Sequence, residues 1–243
     1  MKPSETSEKI TSAVFHPINC NLLAYGSSRG RIHLSDMRQE MRYDNIARVF
    51  HDPSLLDLNL PHLQRASWIY DVKFLADDGI GGDQLISRDY MSMKIWDMRM
   101  DAHPIAIYGV HEQLRPRMAE IYDYDLMLGK FDYCSRSDGL CFATGSYSHR
   151  LKIFSTANES VEDIKLDVIA NIASHGMPNL PNGTVRRSPI TDCIGTAGLD
   201  QAGGDIDSDL IFGRDSKLLR VAWLPTTNLV ASAVKSNLIF YHV

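Results

Sequence analysis

The stretch SRDYMSMKIWDMR, residues 87–99, decides the fold of the chain. Arg88 and Asp89 predict a tight polar turn at its start. After the turn, apolar and polar side chains alternate as in a β-strand, until the strand closes on Trp96-Asp97. Both faces of this strand carry apolar groups, so both faces must be covered by other parts of the chain.

The same order of parts recurs along the chain. It reads strand, turn, strand, turn, strand in four segments, Ala13–Arg38, Tyr70–Arg99, Lys130–Ser155 and Leu218–Val243. A strand that closes on Trp-Asp after a polar turn marks the end of a repeat unit in WD-repeat β-propellers. The four copies therefore predict an all-β fold, a partial WD-repeat β-propeller of about three to four blades.

Three aromatic residues mark the ends of successive blades in this interpretation. We take Trp96, Phe154 and Phe240 to be equivalent members of consecutive blades that stack around a common axis. The three side chains are therefore expected to have like surroundings in the folded chain.

The segments between the repeats should hold insertions. A blade takes roughly 40–45 residues, and the repeat ends are farther apart than that. After the first repeat, Ile46, Val49 and Phe50 have the spacing of a helix face. Pro53 and Pro61 break the pattern, so we expect a short helix and a loop on one rim.

Residues 157–213 differ in composition from everything around them. They are acidic and rich in Gly, and Phe212 is their single aromatic residue. Such a composition cannot bury enough apolar surface to offset the entropy lost on ordering. We therefore interpret residues 1–243 as one partial β-propeller with a flexible loop insertion at 157–213.

Charge and hydropathy exclude several classes of protein. The chain has 25 Lys and Arg against 30 Asp and Glu, a net charge of −5, and no basic block. Phosphate contacts need clustered Lys and Arg, so nucleic acid is not expected as the main partner. No run approaches the ~20 apolar residues of a membrane helix, and the polar start lacks the apolar core of a signal peptide. We predict an intracellular protein of the cytoplasm, with the nucleus as a second location.

The cysteines support a reducing compartment. They are Cys20, Cys134, Cys141 and Cys193. They form no CxxC pair, so we interpret them as buried free thiols rather than as disulfides or metal ligands.

Two motifs resemble parts of catalytic sites but lack the required context. Residues 26–30 match G-x-S-x-G, yet a nucleophile elbow needs a following helix, whereas a strand is predicted here; a hydrolase that uses Ser28 is therefore disfavoured. His111-Glu112 starts like HExxH, but Arg115 stands where the second zinc ligand should be. We expect no catalytic residue, no metal and no cofactor.

An acidic pair gives a candidate binding edge. Asp123 and Asp125 precede a predicted blade strand, beside Leu126, Met127 and Leu128. Carboxylates next to exposed apolar groups would suit a partner segment that carries Arg or Lys. The alternative, a hairpin rim with its apolar groups turned inward, fits the sequence equally well.

Three runs carry a resemblance to a known family. They are SRDYMSMKIWD (87–97), VHEQLRP (110–116) and ATGSYS (143–148). In this combination they resemble the B-type regulatory subunits of protein phosphatase 2A, the 55 kDa WD-repeat family. The resemblance runs in order from Ile10 to Val243, except for the loop at 157–213, and corresponds to the C-terminal half of the family's seven-bladed ring.

The resemblance implies a non-catalytic, regulatory role in the phosphatase 2A Ser/Thr phosphatase holoenzyme. The implied partners are the scaffold subunit, the catalytic subunit and phosphoprotein substrates with basic segments, without nucleic acid or membrane. A regulator that tethers a substrate by a remote surface raises the effective concentration of that substrate at the catalytic centre. The alternative is a generic WD-repeat adaptor in another intracellular complex, with the same fold and different partners.

The resemblance also assigns candidate substrate-binding residues. The family's substrate contacts fall on Asp125, Leu128, Gly129 and Lys130. Asp125 and Lys130 match the family, whereas Leu128 replaces an aromatic residue and Gly129 replaces an acid. The family's scaffold-gripping hairpin lies in the first half of its propeller, which this chain does not contain, so a truncated form is expected.

Overall fold

A computed structural model describes residues 8–38, 48–53, 60–75, 83–100, 103–127, 130–156, 160–165, 217–224, 227–234 and 237–243. Strands of this part of the chain form four antiparallel sheets, in each of which neighbouring strands follow one another in sequence. Such meandering sheets are the blades of a propeller. The predicted all-β, partial-propeller fold is confirmed.

The strands of each blade are as follows. The first blade contains β1 (Ile10–Phe15), β2 (Leu22–Ser27), β3 (Arg31–Asp36) and β4 (Arg48–His51). The second contains β5 (Asp71–Leu75), β6 (Gln84–Arg88), β7 (Ser92–Asp97) and β8 (Ala106–Gly109). The third contains β9 (Tyr133–Ser135), β10 (Cys141–Gly145), β11 (Arg150–Ser155) and β12 (Val161–Lys165). The fourth contains β13 (Arg220–Trp223), β14 (Leu229–Val234) and β15 (Asn237–His242). The helical segments that the structure describes between blades include α1 (Pro61–Ala66), a 3₁₀-helix (Glu112–Arg117) and α2 (Met118–Asp123).

The predicted turn at Arg88-Asp89 is built by its own side chains. The carboxylate of Asp89 accepts hydrogen bonds from the backbone N–H groups of Met91 (2.8 Å) and Ser92 (2.6 Å). The guanidinium of Arg88 donates from Nη1 to the carbonyl oxygens of Asp89 (2.6 Å) and Ser92 (3.2 Å). These bonds satisfy buried backbone groups that the turn leaves outside the strand ladder. The residue types of the turn therefore fix where β6 ends and β7 begins.

A buried ion cluster joins the first two blades. Lys94 Nζ lies 2.9 Å from Asp89 Oδ2 and 3.0 Å from Oδ2 of Asp52, which follows β4. Burial alone would lower the pKa of Lys94, but the two carboxylates raise it above its ordinary value. The ammonium therefore stays charged between its two acidic partners.

The blades pack face against face through alternating side chains. One face of the second blade, with Leu85 and Trp96, forms a cluster with Ala24 and Ile32 of the first blade. Its opposite face packs against the third blade through Ile86, Met93, Ile95, Tyr133, Phe142 and Phe154. The interface between the third and the fourth blade includes Ala143, Leu151, Ile153, Trp223, Val230 and Val234. Each central blade thus contributes a different face to each of its two neighbours.

The expected equivalence of Phe240 is wrong by one residue. Trp96 and Phe154 each pair with the second residue of the preceding strand, and Tyr241 does so in the fourth blade. Phe240 therefore points to the opposite face and is 50% exposed, whereas Trp96 is 1% and Phe154 0% exposed. An offset of one residue along a strand moves the side chain to the other face.

The helix expected around residues 46–50 is also wrong. Val49 and Phe50 lie in β4 and pair with His33 and Ile32 of β3, and Phe50 is fully buried. A short apolar run fits either a strand or a helix, and the open edge of β3 decides for the strand. The helix lies later, where Pro61 occupies its first turn instead of ending it. Ile46 lies outside the described residues.

The segment predicted as a flexible loop begins with a strand. Residues 161–165 form β12, which pairs with β11 along its length. The positions from 166 to 213 lie outside the described residues, so the flexible loop there stays a prediction.

The G-x-S-x-G motif forms the turn between β2 and β3. Gly30 has a φ of 70°, the left-handed region that favours glycine, and β3 follows directly. Ser28 Oγ accepts a hydrogen bond from the Lys9 N–H at 3.0 Å. The predicted strand after the motif is confirmed.

The expectation that the cysteines are buried is only partly met. Cys20 is exposed, and Cys134 and Cys141 are half-buried, all as free thiols. Cys193 lies outside the described residues. No helix in the described part of the chain is long and apolar enough to cross a membrane.

Candidate docking platform

Two short helices meet beside the propeller blades and form a platform, defined here as residues 60–66 and 112–127. The ring of His62 on α1 lies 6.5 Å from that of Tyr122 on α2, measured between centroids. The buried cluster beneath the platform consists of Ala66, Tyr70, Tyr90, Leu114, Met118, Ile121, Met127, Phe131 and Tyr147. The platform is therefore attached to the second and third blades by an apolar core.

The sequence of α2 separates a buried face from an exposed one. Met118 and Ile121, three residues apart, are 2% and 1% exposed, so they anchor the helix. Tyr122, four residues after Met118, lies at the edge of this face and is 38% exposed. Arg117 donates from Nε to Glu120 Oε2 at 2.8 Å at the start of the helix. The helix thus presents an aromatic and polar surface to solvent.

Asp125 occupies the position that ends α2. It has a φ of 54° although it is not glycine. Its N–H donates to the Tyr122 carbonyl, and the N–H of Leu126 donates to the Ile121 carbonyl, both at 2.9 Å. This pair of bonds is the Schellman motif, which satisfies the last carbonyls of a helix. The motif holds Asp125 at an exposed and fixed position.

The apolar groups beside the acidic pair face inward. Met127 is 2% exposed and Leu126 is half-buried, so the expectation of exposed apolar neighbours is wrong for both. Neither is the site the hairpin rim of the alternative, because Asp123 is the last residue of α2. The Schellman motif explains the inward direction, since Leu126 packs back on the helix that it ends.

Two other exposed residues of the platform, Tyr124 and Leu60, supply the apolar surface instead. Tyr124 is 70% exposed between the two aspartates, and Leu60 before α1 is 52% exposed. These residues were not predicted from the sequence, because the aspartates were expected to precede a strand. The helical spacing of Met118 and Ile121 was the signal that could have predicted α2.

Charges on the platform are partly paired. Glu112 and Arg115 form a bidentate pair with distances of 2.7 and 2.8 Å. The hydrogen bond from Arg115 lowers the pKa of Glu112 below its ordinary value. Among the residues that the structure describes, none forms an ion pair with Asp123 or Asp125. Those two carboxylates are the acidic groups left for a ligand.

The other predicted contacts lie just after the platform. Lys130 is exposed in the connection from α2 to β9, five residues after Asp125. Leu128 and Gly129 fall between the described ranges. Asp125 and Lys130 are each exposed, and the assignment of substrate contacts to them and to Leu128 stays a prediction.

A neutral histidine supports the core beneath the platform. His111 Nδ1 lies 2.6 Å from the carbonyl oxygen of Tyr90, which can only accept, so Nδ1 carries the proton. Nε2 lies 3.0 Å from Ser146 Oγ and accepts the hydroxyl proton. Burial and, second, the charge of Arg88 lower the pKa of His111 well below its ordinary value. Within the described ranges, no group of three or more His, Cys, Asp or Glu could hold a metal ion.

The fold defines the class of protein. The described chain superimposes on the crystal structure of Raptor from Chaetomium thermophilum with a TM-score of 0.57, at 14% identity, over 99% of this chain and 16% of that one. At this identity the likeness concerns the fold alone. Together with the four meandering sheets, it places the chain among WD-repeat-type β-propellers.

Sequence comparison then shows which proteins the chain is similar to. The beta isoform of the 55 kDa B-type regulatory subunit of Ser/Thr protein phosphatase 2A from Arabidopsis thaliana is 37% identical, over 98% of this chain and 46% of the relative. The 55 kDa regulatory subunit from Drosophila melanogaster is 32% identical over 98% and 44%, and the B-type regulatory subunit from Schizosaccharomyces pombe is 32% identical over 98% and 51%. By sequence the chain is a homologue of the 55 kDa B-type regulatory subunits of protein phosphatase 2A, which confirms the resemblance. It spans about half the length of these relatives. No protein-family model matches the chain.

Proposed function

We propose that this protein is a non-catalytic regulatory subunit of protein phosphatase 2A that selects phosphoprotein substrates. One observation carries the proposal: relatives matched over 98% of the chain, at 32% to 37% identity, are named as regulatory subunits of this phosphatase. Its partners are then the scaffold and catalytic subunits and the substrates. The protein works in the cytoplasm, with the nucleus as a second location.

The platform is the proposed substrate-binding surface. Its free carboxylates, Asp123 and Asp125, attract Arg or Lys side chains of a substrate segment. Tyr124, which is 70% exposed between them, offers a ring face for a guanidinium group. Because the Schellman motif fixes Asp125, little conformational entropy is lost when a substrate binds.

The other proposed contacts determine the orientation in which a substrate segment binds. Lys130 lies on the same connection and pairs with an acidic or phosphorylated group next to the basic segment. Leu128 is the proposed apolar contact of the substrate. A segment with separated basic and acidic groups thus binds in one orientation.

Reconstitution tests the proposal. The 243-residue chain is mixed with the scaffold and catalytic subunits, and dephosphorylation is followed with two phosphopeptides that differ only in an Arg-rich or a neutral flank. We expect the chain to raise the rate for the Arg-rich peptide alone, because tethering raises effective concentration. Absence of this rate change would overturn the proposal.

A further inference from the structure

We propose that Tyr147 is a positioning residue of the platform, whose hydroxyl fixes the carbonyl of Leu126 and thereby the direction of Asp125. The inference rests on the proposed function of the platform. Tyr147 lies in the turn between β10 and β11 of the third blade, outside the platform itself. Its hydroxyl donates to the Leu126 carbonyl oxygen at 3.2 Å.

The ring of Tyr147 is held from several sides. It is 4% exposed and lies 5.2 Å from the ring of Phe131 and 5.1 Å from that of His111, measured between centroids. The next residue, Ser148, has a φ of 56°, so the turn that carries the ring is itself tightly bent. A ring packed in this way can place its hydroxyl at only one point.

The donor and the acceptor of each hydrogen bond in the network follow from the number of protons that each group can donate. The Leu126 carbonyl can only accept, so Tyr147 gives its single proton to it. The hydroxyl of Tyr90, 2.7 Å away, must then donate to the oxygen of Tyr147. Burial raises the pKa of both phenols, that of Tyr90 to about 12, so both stay protonated. The network therefore runs from Tyr90 through Tyr147 to Leu126.

Leu126, at the end of this hydrogen-bond network, belongs to the turn that carries Asp125. Leu126 has its N–H bonded to Ile121 and its carbonyl bonded to Tyr147, so both of its backbone groups are fixed. Lys217 Nζ approaches the same carbonyl at 3.5 Å from a second direction. Asp125 precedes Leu126 directly, so its side-chain direction depends on these bonds.

Two matched variants separate positioning from stability. Tyr147→Phe and Tyr90→Phe each delete one hydroxyl, and both lose the same bond between the two tyrosines. Only Tyr147→Phe also removes the hydroxyl bond to the Leu126 carbonyl, which then keeps only the longer contact with Lys217 Nζ. Hydrogen exchange should show the amide of Leu126 exchanging about tenfold faster in Tyr147→Phe than in Tyr90→Phe, since local opening becomes easier.

Binding provides the second measurement. The probe is a peptide with two adjacent arginines flanked by leucines, titrated into the 243-residue chain. Tyr147→Phe should weaken binding about threefold, and Tyr90→Phe should leave it unchanged. In an Asp125→Asn background, Tyr147→Phe should have no further effect, because it acts through Asp125. A merely structural role would weaken binding in both backgrounds.

The outcomes distinguish the two proposals. If Asp125→Asn binds the peptide as the unchanged chain does, the proposed platform function fails. If Asp125→Asn weakens binding while Tyr147→Phe and Tyr90→Phe behave alike in exchange and binding, the platform stands and the role of Tyr147 is overturned. Thermal melting confirms that each variant folds before it is used.

Discussion

The ammonium of Lys94 and the carboxylate of Asp89 lie 2.9 Å apart, with only 4% and 3% of their side chains exposed. Asp52 completes the cluster from the first blade. Removing one partner of a buried ion pair leaves charge that water cannot reach. The pair therefore couples the turn before β7 to the neighbouring blade.

Lys94→Met should destabilise the fold strongly. The substitution keeps the volume but removes the cation from between two buried carboxylates, and we expect a loss of about 3–5 kcal/mol in the free energy of unfolding. Urea denaturation measures the loss. The control is Arg38→Met, which removes a partner that is even closer, 2.6 Å from Asp36, but whose side chain is exposed, so it should change the midpoint little. Equal effects of the two substitutions would contradict the prediction.

Stability should fall as the pH drops below 6.5. The folded state holds His111 neutral by burial, so its pKa in the folded chain is below the ordinary 6.5 of the unfolded chain. Below pH 6.5 the unfolded chain binds the proton first, and stability decreases with falling pH. His33 shifts in the same direction through burial.

Denaturation at pH 7.5 and 5.5 (about one unit to either side of the reference value) measures this dependence. His111→Gln should be less stable than the unchanged chain at pH 7.5 but should lose less on acidification. His33 contributes to the loss that remains. A variant with the same pH dependence as the unchanged chain would disprove the role of His111.

Asp125 should lower the stability of the fold and contribute to the binding of an Arg-rich peptide. A φ of 54° costs an L-residue about 1–2 kcal/mol and glycine nothing, whereas the extra freedom of glycine in the unfolded chain costs about 0.4–1 kcal/mol, so Asp125→Gly should raise the free energy of unfolding by about 0.5–1 kcal/mol. Asp125→Ala keeps the strain and should be the least stable of the variants. Both should weaken binding of an Arg-rich peptide about two- to fivefold, as loss of an exposed ion pair does. Melting curves and peptide titrations give the two quantities, and unchanged binding by the Gly variant would refute the assignment.

Cys20 and Cys134 should differ in reactivity. Cys20 is exposed, whereas burial raises the pKa of Cys134 to about 12, which removes the reactive thiolate near neutral pH. Iodoacetamide at pH 8 should label Cys20 in minutes and leave Cys134 unlabelled until the chain unfolds (thiolate is needed for reaction, and an ordinary thiol has a pKa of about 8.5). Peptide mass spectrometry separates the two. Equal labelling of both in the folded chain would contradict the prediction.

Local structure was predictable where a residue type has one local use. The turn at Asp89 was predictable because aspartate caps such turns with its own carboxylate. The register of β15 was not, because the fourth repeat lacks a Trp-Asp pair and either Phe240 or Tyr241 fits the alternation. The strand at Val49 was missed because the spacing of apolar residues is judged over a short stretch of sequence. Its partner strand, β3, lies outside that stretch.

The candidate site was predictable only in part. Asp125 and Lys130 were found through the family resemblance, and both are exposed. The burial of Met127 and the exposure of Tyr124 depend on where α2 ends. A left-handed aspartate carries a weak sequence signal, since glycine is the usual residue at that position.

The assignment of each blade face to a different neighbour determines how disorder spreads. Such an array behaves like a row of coupled units, in which each unit senses only those beside it. Damage to the interface around Trp96 loosens the first and second blades, while the contacts between the third and fourth persist. The blades can therefore unfold one after another instead of all together. A substitution that damages one interface need not disturb a blade farther along the row.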